Sequence, residues 1–194
     1  LGFLRELILA FIFGSSLIYA SYLLLKTLTD FLSQFTFGNA LQANLLPKFT
    51  RLYKENNVLN LESVHQFSKS VILVIFSLSL LAQLFVVFFI IKKFILILAI
   101  TSLALSLVLS TNFYNSLFLT IIQAEGDFKK FSFATSFNIL ISTILIYPLC
   151  FFFDILGIAL SRLIGVFSLA YLYIKPILKP NKGLLVKISL KEFN

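Results

Sequence analysis

The chain has 194 residues, of which 59% are hydrophobic and only 12% are charged, and its mean hydropathy is +1.00. Because a soluble domain is usually about 45–50% apolar and about 25% charged, this composition predicts an integral membrane protein. The formal net charge of +8 is spread over separate segments without a basic patch or a base-stacking platform, which argues against nucleic acid as a partner.

Six apolar runs are long enough to cross a bilayer core of about 30 Å as a helix of about 20 residues. We therefore predict an all-α, polytopic bundle of six transmembrane helices over residues 1–175. Residues 176–194 would form a cytoplasmic amphipathic tail or a linker. A break near Ser15 and Ser16 would end the first helix earlier, and Pro148 is expected to kink or end the fifth. The predicted spans are Leu4–Leu24, Leu25–Leu46, Ser70–Ile91, Phe94–Ile122, Phe131–Phe153 and Ile155–Ile174.

The basic residues fall unequally on the two sides of these spans. Most of the 16 lie in segments that share one side, whereas only Lys92 and Lys93 lie in a loop on the other. Because cytoplasmic loops carry an excess of lysine and arginine, both ends of the chain are expected in the cytoplasm.

A polar face runs along the second predicted span. Its members are Lys26, Asp30, Ser33, Gln34 and Asn44. On an ideal helix they lie within about 60° of one another, with Gln34 just beside the rest. A charge at the centre of a membrane helix costs about 2.5–3.5 kcal/mol on insertion scales, so we expect this face to line a bundle or a water-filled cavity. Lys26 and Asp30 can also pair at i,i+4, which leaves open a self-neutralised pair that snorkels to the interface.

Two arginines are further candidates for a polar cavity. Arg162 lies deep within the sixth predicted span, near Gly157 and Gly165, and an arginine at such a depth rarely faces lipid. Arg5 stands at the start of the first span, where its planar guanidinium suits bidentate contact with phosphate. A cytoplasmic anchor role for Arg5 and Glu6 is the alternative. Being adjacent, these two residues point about 100° apart and are not expected to face one groove squarely.

Residues for metal, redox or hydrolytic chemistry are scarce. The only histidine is His65 and the only cysteine is Cys150, which leaves no cluster for a zinc site or a disulfide framework. We find no Ser–His–Asp triad, glycine-rich phosphate loop or paired catalytic carboxylates in the sequence. We therefore expect neither an enzyme nor a cofactor. Hydroxyl and amide groups are abundant in spans four and five, where they commonly bond helices together, with Asn115 and Asn138 as the candidates for another role.

Four stretches, in order, resemble one family of membrane transporters. They are GFLRE at Gly2–Glu6 followed by Ala10, Phe13 and Gly14, then GNALQANLLP at Gly38–Pro47, QAEGDFKKFSFATSFNI at Gln123–Ile139 and ILGIALSRLIGVFSLAYLYIK at Ile155–Lys175. The first resembles the G-F-x-R-(D/E)…A…F-G opening of the MurJ/MviN family, the lipid II flippases of the multidrug/oligosaccharidyl-lipid/polysaccharide (MOP) exporter superfamily. The resemblance covers nearly all of this chain but only the N-terminal, six-helix portion of the family.

The resemblance implies one lobe of a two-lobed flippase that works by alternating access in the bacterial inner membrane. The cargo would be an undecaprenyl-pyrophosphate-linked sugar precursor, most simply peptidoglycan lipid II. Its partners would be this lipid-linked oligosaccharide, membrane lipids and a missing C-terminal lobe of the same chain. The family's cavity arginine falls on Arg5, which is expected to meet the pyrophosphate. Together with the polar face, the candidate cavity residues are Arg5, Lys26, Asp30, Gln34, Asn44 and Arg162.

Other charges of the family are not matched in this sequence. A second family arginine falls at Phe11, an aspartate near Ala20, and a basic pair near Ser33 and Gln34. These differences leave open a divergent member of the family or a related O-antigen or capsule-unit flippase. In either, Lys26 and Asp30 would replace part of the missing charge. A cation-coupled multidrug exporter and a structural membrane protein are further alternatives.

Overall fold

The computed structural model describes residues 2–37, 47–48, 50–51, 61–92, 94–124 and 126–174. Six α-helices and two π-helical turns have described bounds, residues 47–48 and 50–51 are also helical, and no β-strand occurs among the described residues. The helices are α1 (Gly2–Phe13), α2 (Leu17–Phe37), α3 (Leu61–Phe85), α4 (Ile95–Ala124), α5 (Phe128–Phe153) and α6 (Ile155–Leu169), and the π turns at Val86–Ile91 and Ala170–Ile174 extend α3 and α6. The predicted all-α class is therefore confirmed for the described part of the chain.

Among the described residues, four helical stretches are long and apolar enough to cross a membrane. They are Ser68–Ile91, Ile95–Ala124, Phe128–Phe153 and Ile155–Leu172. Their bounds agree within a few residues with the last four spans predicted from the sequence. Large apolar side chains such as Leu96 and Phe151 point outward, 75% and 78% exposed. Apolar side chains on the outer surface are suited to contact with lipid. The backbone hydrogen bonds, which lipid cannot satisfy, are made within each helix.

The boundary between the first two predicted spans is wrong. A continuous helix from Leu4 to Leu24 does not form, because α1 ends at Phe13 and α2 begins at Leu17. Between them Gly14 adopts φ +52°, the left-handed conformation in which helices commonly end. The Ser16 hydroxyl then accepts a 3.4 Å hydrogen bond from the Tyr19 amide, as an N-cap does. The apolar run is therefore interrupted by Gly14, which ends α1, and by Ser16, which caps the start of α2.

The chain turns back in a hairpin turn between α1 and α2, which meet through side chains, while the backbone of α1 lies closest to α5. The Phe13 and Tyr19 rings stack with centroids 5.6 Å apart next to the turn. Farther along, Lys26 Nζ lies 3.0 Å from Glu6 Oε1. Residues 20 positions apart would be about 30 Å apart on one straight helix, so this contact requires the chain to reverse. α1 has 12 residues, fewer than the about 20 that a span needs.

α4 is the central helix and packs against α2, α3, α5 and α6. At one end of the bundle, Leu25 of α2 shares a buried cluster with Leu98 near the start of α4 and Ile155 at the start of α6. Toward the other end, Leu32 packs against a cluster that contains Phe113 of α4. α2, α4 and α6 therefore all begin at the same end of the bundle.

α5 and α6 form the closest helix pair. One residue, Asp154, joins them with φ +53°, and α5 continues through Pro148 instead of ending there. The contact face of α6 carries Gly157 and Gly165, where a Cβ atom would run into α5. Small residues at such spacing let membrane helices approach closely, which explains why this pair packs so tightly.

The turn between α4 and α5 is fixed by Asp127. Its carboxylate accepts a 3.1 Å hydrogen bond from the Lys130 amide and forms a 2.8 Å ion pair with the Lys130 ammonium. The hydrogen bond to the Lys130 side chain, followed by the bond to its amide, lowers the pKa of Asp127 below the usual value. Asp127 therefore caps the start of α5, outside the membrane-spanning segments.

We expect Asp127→Ala to lower the thermal midpoint of the protein in detergent more than Asp127→Asn, because asparagine keeps the cap acceptor but not the charge. Since the pKa is lowered by folding, the charge stabilises the fold above the normal aspartate titration near pH 4 and this benefit disappears at lower pH. The difference between wild type and Asp127→Asn, measured by circular dichroism, should therefore be constant at neutral pH and shrink below about pH 4. A difference that grows on acidification would contradict this assignment.

Candidate functional site

One carboxylate oxygen joins two cations from different helices. Glu6 Oε1 lies 2.9 Å from Arg5 Nη2 and 3.0 Å from Lys26 Nζ. The side chains of Arg5 and Lys26 are each 18% exposed, whereas that of Glu6 is 42% exposed. Charge-assisted hydrogen bonds of this length are the stronger kind, so the three side chains tie α1 to α2.

These pairings differ from the expectation at two points. Although Arg5 and Glu6 leave the helix in different directions, the long guanidinium arm folds back to contact its neighbour. Lys26 contacts Glu6 rather than Asp30, which is exposed and has no ion pair within 4 Å among the described residues. The hairpin turn at Gly14 supplies the closer carboxylate, and this partner is invisible to helical spacing alone.

Arg162 belongs to the same region. The charges of Arg162, Arg5, Glu6 and Asp30 all act on the Tyr22 hydroxyl, whose side chain is 1% exposed. Arg162 therefore lies within electrostatic range of the α1–α2 contact. It is only partly exposed, and no described side chain forms an ion pair with it. Asp30 is exposed, whereas the other charged residues of this region are half-buried. We call these half-buried residues, Arg5, Glu6, Lys26 and Arg162, the charged cluster.

The charged cluster lies well inside the bundle. Lys26 is nine residues beyond Leu17, the first residue of α2, and Arg162 is seven beyond Ile155, the first of α6. At 1.5 Å per residue these positions are about 14 Å and about 11 Å from the first residue of their own helix. Both cations thus lie about two turns or more from a helix end, and α6 is one of the helices long and apolar enough to cross a membrane.

The remaining candidates from the polar face are not brought into the charged cluster. Asp30 and Gln34 are exposed on α2. Gln34 is eight residues beyond Lys26, about 12 Å farther along the helix. Asn44 lies outside the described residues. Glu6 was not among the predicted site residues, although its position next to Arg5 marked it as a possible counter-ion.

Buried amides elsewhere hold helices together. Gln83 of α3 donates to Thr29 of α2 at 3.2 Å and to Ser79 at 2.9 Å. Asn115 of α4 donates to the Val166 carbonyl of α6 at 3.0 Å and is 3% exposed. Interhelical hydrogen bonds of this kind are normal in membrane bundles, so Asn115 is explained without a cavity role.

The charged cluster has an excess of positive charge inside an apolar bundle. Two cations contact the one carboxylate and Arg162 is a third cation of the cluster, which gives a formal net charge of +2. The two guanidinium groups and the ammonium are pure hydrogen-bond donors. No group of three or more His, Cys, Asp or Glu side chains that could hold a metal occurs in the described ranges. The site is therefore suited to an anion with several acceptor oxygens.

No family model matches this chain, and neither a curated protein nor a solved structure matches it. The features of this chain that bear on its function are therefore the charged cluster and the sequence motifs. Two of those motif residues, Arg5 and Glu6, are members of the charged cluster.

Proposed function

We propose that this chain is part of a flippase that carries an undecaprenyl-pyrophosphate-linked sugar precursor, most simply peptidoglycan lipid II, across the bacterial cytoplasmic membrane. The observation that carries the proposal is the charged cluster, in which Arg5 and Lys26 share the Glu6 carboxylate and Arg162 lies within electrostatic range of the adjoining Tyr22, within an apolar helix bundle. Transport would follow alternating access, with residues 1–175 as the N-terminal, MOP-type lobe and 176–194 leading to a second lobe.

The energetics favour an anionic cargo. A cation held at membrane depth costs several kcal/mol unless a counter-charge or water compensates it. One carboxylate compensates only part of this cost, and the exposed Asp30 is not ion-paired to any described cation. A diphosphate diester carries two negative charges and several acceptor oxygens, which complements a site of about +2 with fork-shaped donors. The prenyl chain would stay in lipid, against the apolar outer surface.

A second cargo of the same chemical class is an O-antigen or capsule unit on the same lipid carrier. The family that this chain resembles has a second arginine at the position of Phe11, which is apolar and 88% exposed here. The cations available to bind the cargo therefore differ from those of the family. The cation-coupled exporter is less well supported. Such a mechanism needs acids free to bind the coupling cation, and since Glu6 is bound to Arg5 and Lys26, only Asp30 remains for this role among the described residues of α1 and α2.

The proposed orientation has both ends of the chain in the cytoplasm. Lys129 and Lys130 lie at the turn between α4 and α5, whereas Asp154 lies at the turn between α5 and α6. These turns are at opposite ends of the bundle, and the positive-inside rule favours the lysine-bearing end as cytoplasmic.

Headgroup translocation by the full-length protein in proteoliposomes tests the proposal. The lipid-linked substrate is labelled on its sugar, and its loss of access to a membrane-impermeant quencher gives the flipping rate. We expect Arg5→Ala to lower the rate at least about tenfold, because a hydrogen bond to a charged group contributes about 1.5–3 kcal/mol.

Lys92→Ala is the matched control, since it also removes one cation but from an exposed turn. Its rate should equal that of the wild type. A wild-type rate for a folded Arg5→Ala protein would remove Arg5 from the mechanism. Absence of flipping by the wild type with either sugar lipid would reject the proposed function.

A further inference from the structure

We infer that Glu6 is an internal counter-ion that holds Arg5 and Lys26 while the site is empty, and that the arriving anionic headgroup takes its place on both cations. This inference rests on the proposed function, because it takes a diphosphate headgroup as the arriving anion. In this site, Glu6 would compete with the headgroup for the two cations, and the ion pairs would be exchanged when the headgroup binds and again when it leaves.

The first support is the shared oxygen. Both donors converge on Oε1 of Glu6, at 2.9 Å from Arg5 Nη2 and 3.0 Å from Lys26 Nζ. A guanidinium and an ammonium on separate helices are thus already arranged around one anionic oxygen. A phosphate oxygen at the same point would meet both donors at charge-assisted hydrogen-bond distance without moving either helix.

The second support is the order of exposure. The Glu6 side chain is 42% exposed, whereas those of Arg5 and Lys26 are each 18% exposed. Glu6 is therefore the most accessible of the three, and it can leave the two cations without being drawn out of a closed core. An incoming anion would supply the same kind of charge-assisted hydrogen bonds that Glu6 gives up, so one anion can replace the other on these cations at small cost.

The third support is the balance of charge. With two negative charges from a diphosphate diester, the three cations and Glu6 of the charged cluster sum to zero. A loaded site without net charge can rearrange in a low-dielectric membrane at a smaller cost than a charged one. On release, Glu6 returns to Arg5 and Lys26 and prevents the headgroup from binding again.

Binding of inorganic pyrophosphate to the purified full-length protein, measured by titration calorimetry in detergent, tests the exchange. We expect Glu6→Gln to bind at least about tenfold tighter than the wild type, because a like charge placed against a ligand is strongly unfavourable. The matched control is Asp30→Asn, which removes the other acid near Tyr22. Because Asp30 forms no ion pair with any cation of the charged cluster, its loss should change affinity by no more than about twofold.

Glu6→Asp is a second variant, for use if Glu6→Gln does not fold. Its shorter side chain keeps the charge but cannot reach both donors at once, so pyrophosphate affinity should lie between those of wild type and Glu6→Gln. In the flipping assay, Glu6→Gln should slow repeated turnover despite its tighter binding, because no carboxylate then competes with the headgroup for Arg5 and Lys26 when the headgroup is released. A residue that only stabilises the fold would lower the thermal midpoint without tightening pyrophosphate binding.

Unchanged or weaker pyrophosphate binding by folded Glu6→Gln would overturn the inference. It would also be overturned if Asp30→Asn increased pyrophosphate affinity as much as Glu6→Gln, because loss of any nearby negative charge would then have the same effect. The flipping assay keeps the two proposals separate. Normal flipping without tighter binding by Glu6→Gln rejects the counter-ion role alone. Tighter binding by Glu6→Gln in a protein that flips no sugar lipid retains the counter-ion role and rejects the flippase.

Discussion

Gly157→Ala is expected to destabilise the protein by about 2–3 kcal/mol, although alanine is the better helix former. Replacing glycine by alanine in a helix normally gains about 1 kcal/mol. At Gly157 the added methyl group would run into the backbone of Leu149 and lie 2.6 Å from the Cys150 amide nitrogen. Overpacking typically costs about 1–3 kcal/mol and more where backbone must move, so steric cost outweighs helix propensity here.

The comparison with two other glycines sharpens this prediction. Gly165→Ala should cost less, because one of its close neighbours at 2.7 Å is Asn138 Oδ1, the end of a side chain that can rotate. Gly14→Ala adds the same methyl group where nothing lies within 4 Å, so its cost reflects only the left-handed φ of +52°. Such a conformation costs about 1–2 kcal/mol for an L-residue with a side chain.

Reversible unfolding by SDS titration in mixed micelles, followed by circular dichroism, measures these differences. The expected order of destabilisation is Gly157→Ala, then Gly165→Ala and Gly14→Ala. A Gly157→Ala protein as stable as the wild type would mean that α5 and α6 are farther apart than described. A gain of about 1 kcal/mol would mean that helix propensity alone decides at this position.

Arg162→Ala is expected to reduce both pyrophosphate affinity and the flipping rate by roughly 10–100-fold, because hydrogen bonds to a charged group contribute about 1.5–3 kcal/mol. Arg162→Lys should retain part of both, since it keeps the charge but loses the bidentate donors. The thermal midpoint of Arg162→Ala, in contrast, should not fall. No described side chain forms an ion pair with Arg162, so removing this cation from the bundle should leave stability unchanged or higher.

Opposite changes in activity and stability distinguish a binding role from a structural one. Lys129→Ala is the control, because it removes an exposed cation outside the charged cluster and should alter neither quantity. If Arg162→Ala lowered the thermal midpoint and flipping together, a structural role would explain the loss. If pyrophosphate affinity were unchanged, Arg162 would have to be removed from the binding site.

Composition and hydrophobic length determined much of this protein. They predicted the membrane class and the all-α fold, and they placed the last four spans within a few residues, because a helix of about 20 apolar residues is the simplest way to bury a backbone in lipid. The depth of Arg162 also followed from its position in a long apolar run. The turn at Ser15 and Ser16 was visible as an alternative, since glycine and serine are strong local signals.

Only the tertiary structure decided which charges meet. Helical spacing offered Asp30 as the partner of Lys26, but the hairpin between α1 and α2 brings Glu6 to 3.0 Å instead. Spacing describes one helix at a time, whereas this contact depends on a chain reversal at Gly14 and on the reach of two long side chains. For the same reason Arg162 could be recognised as a costly cation from the sequence, but its place beside Tyr22 and the α1–α2 contact required the packing of α6 against α2 and α4.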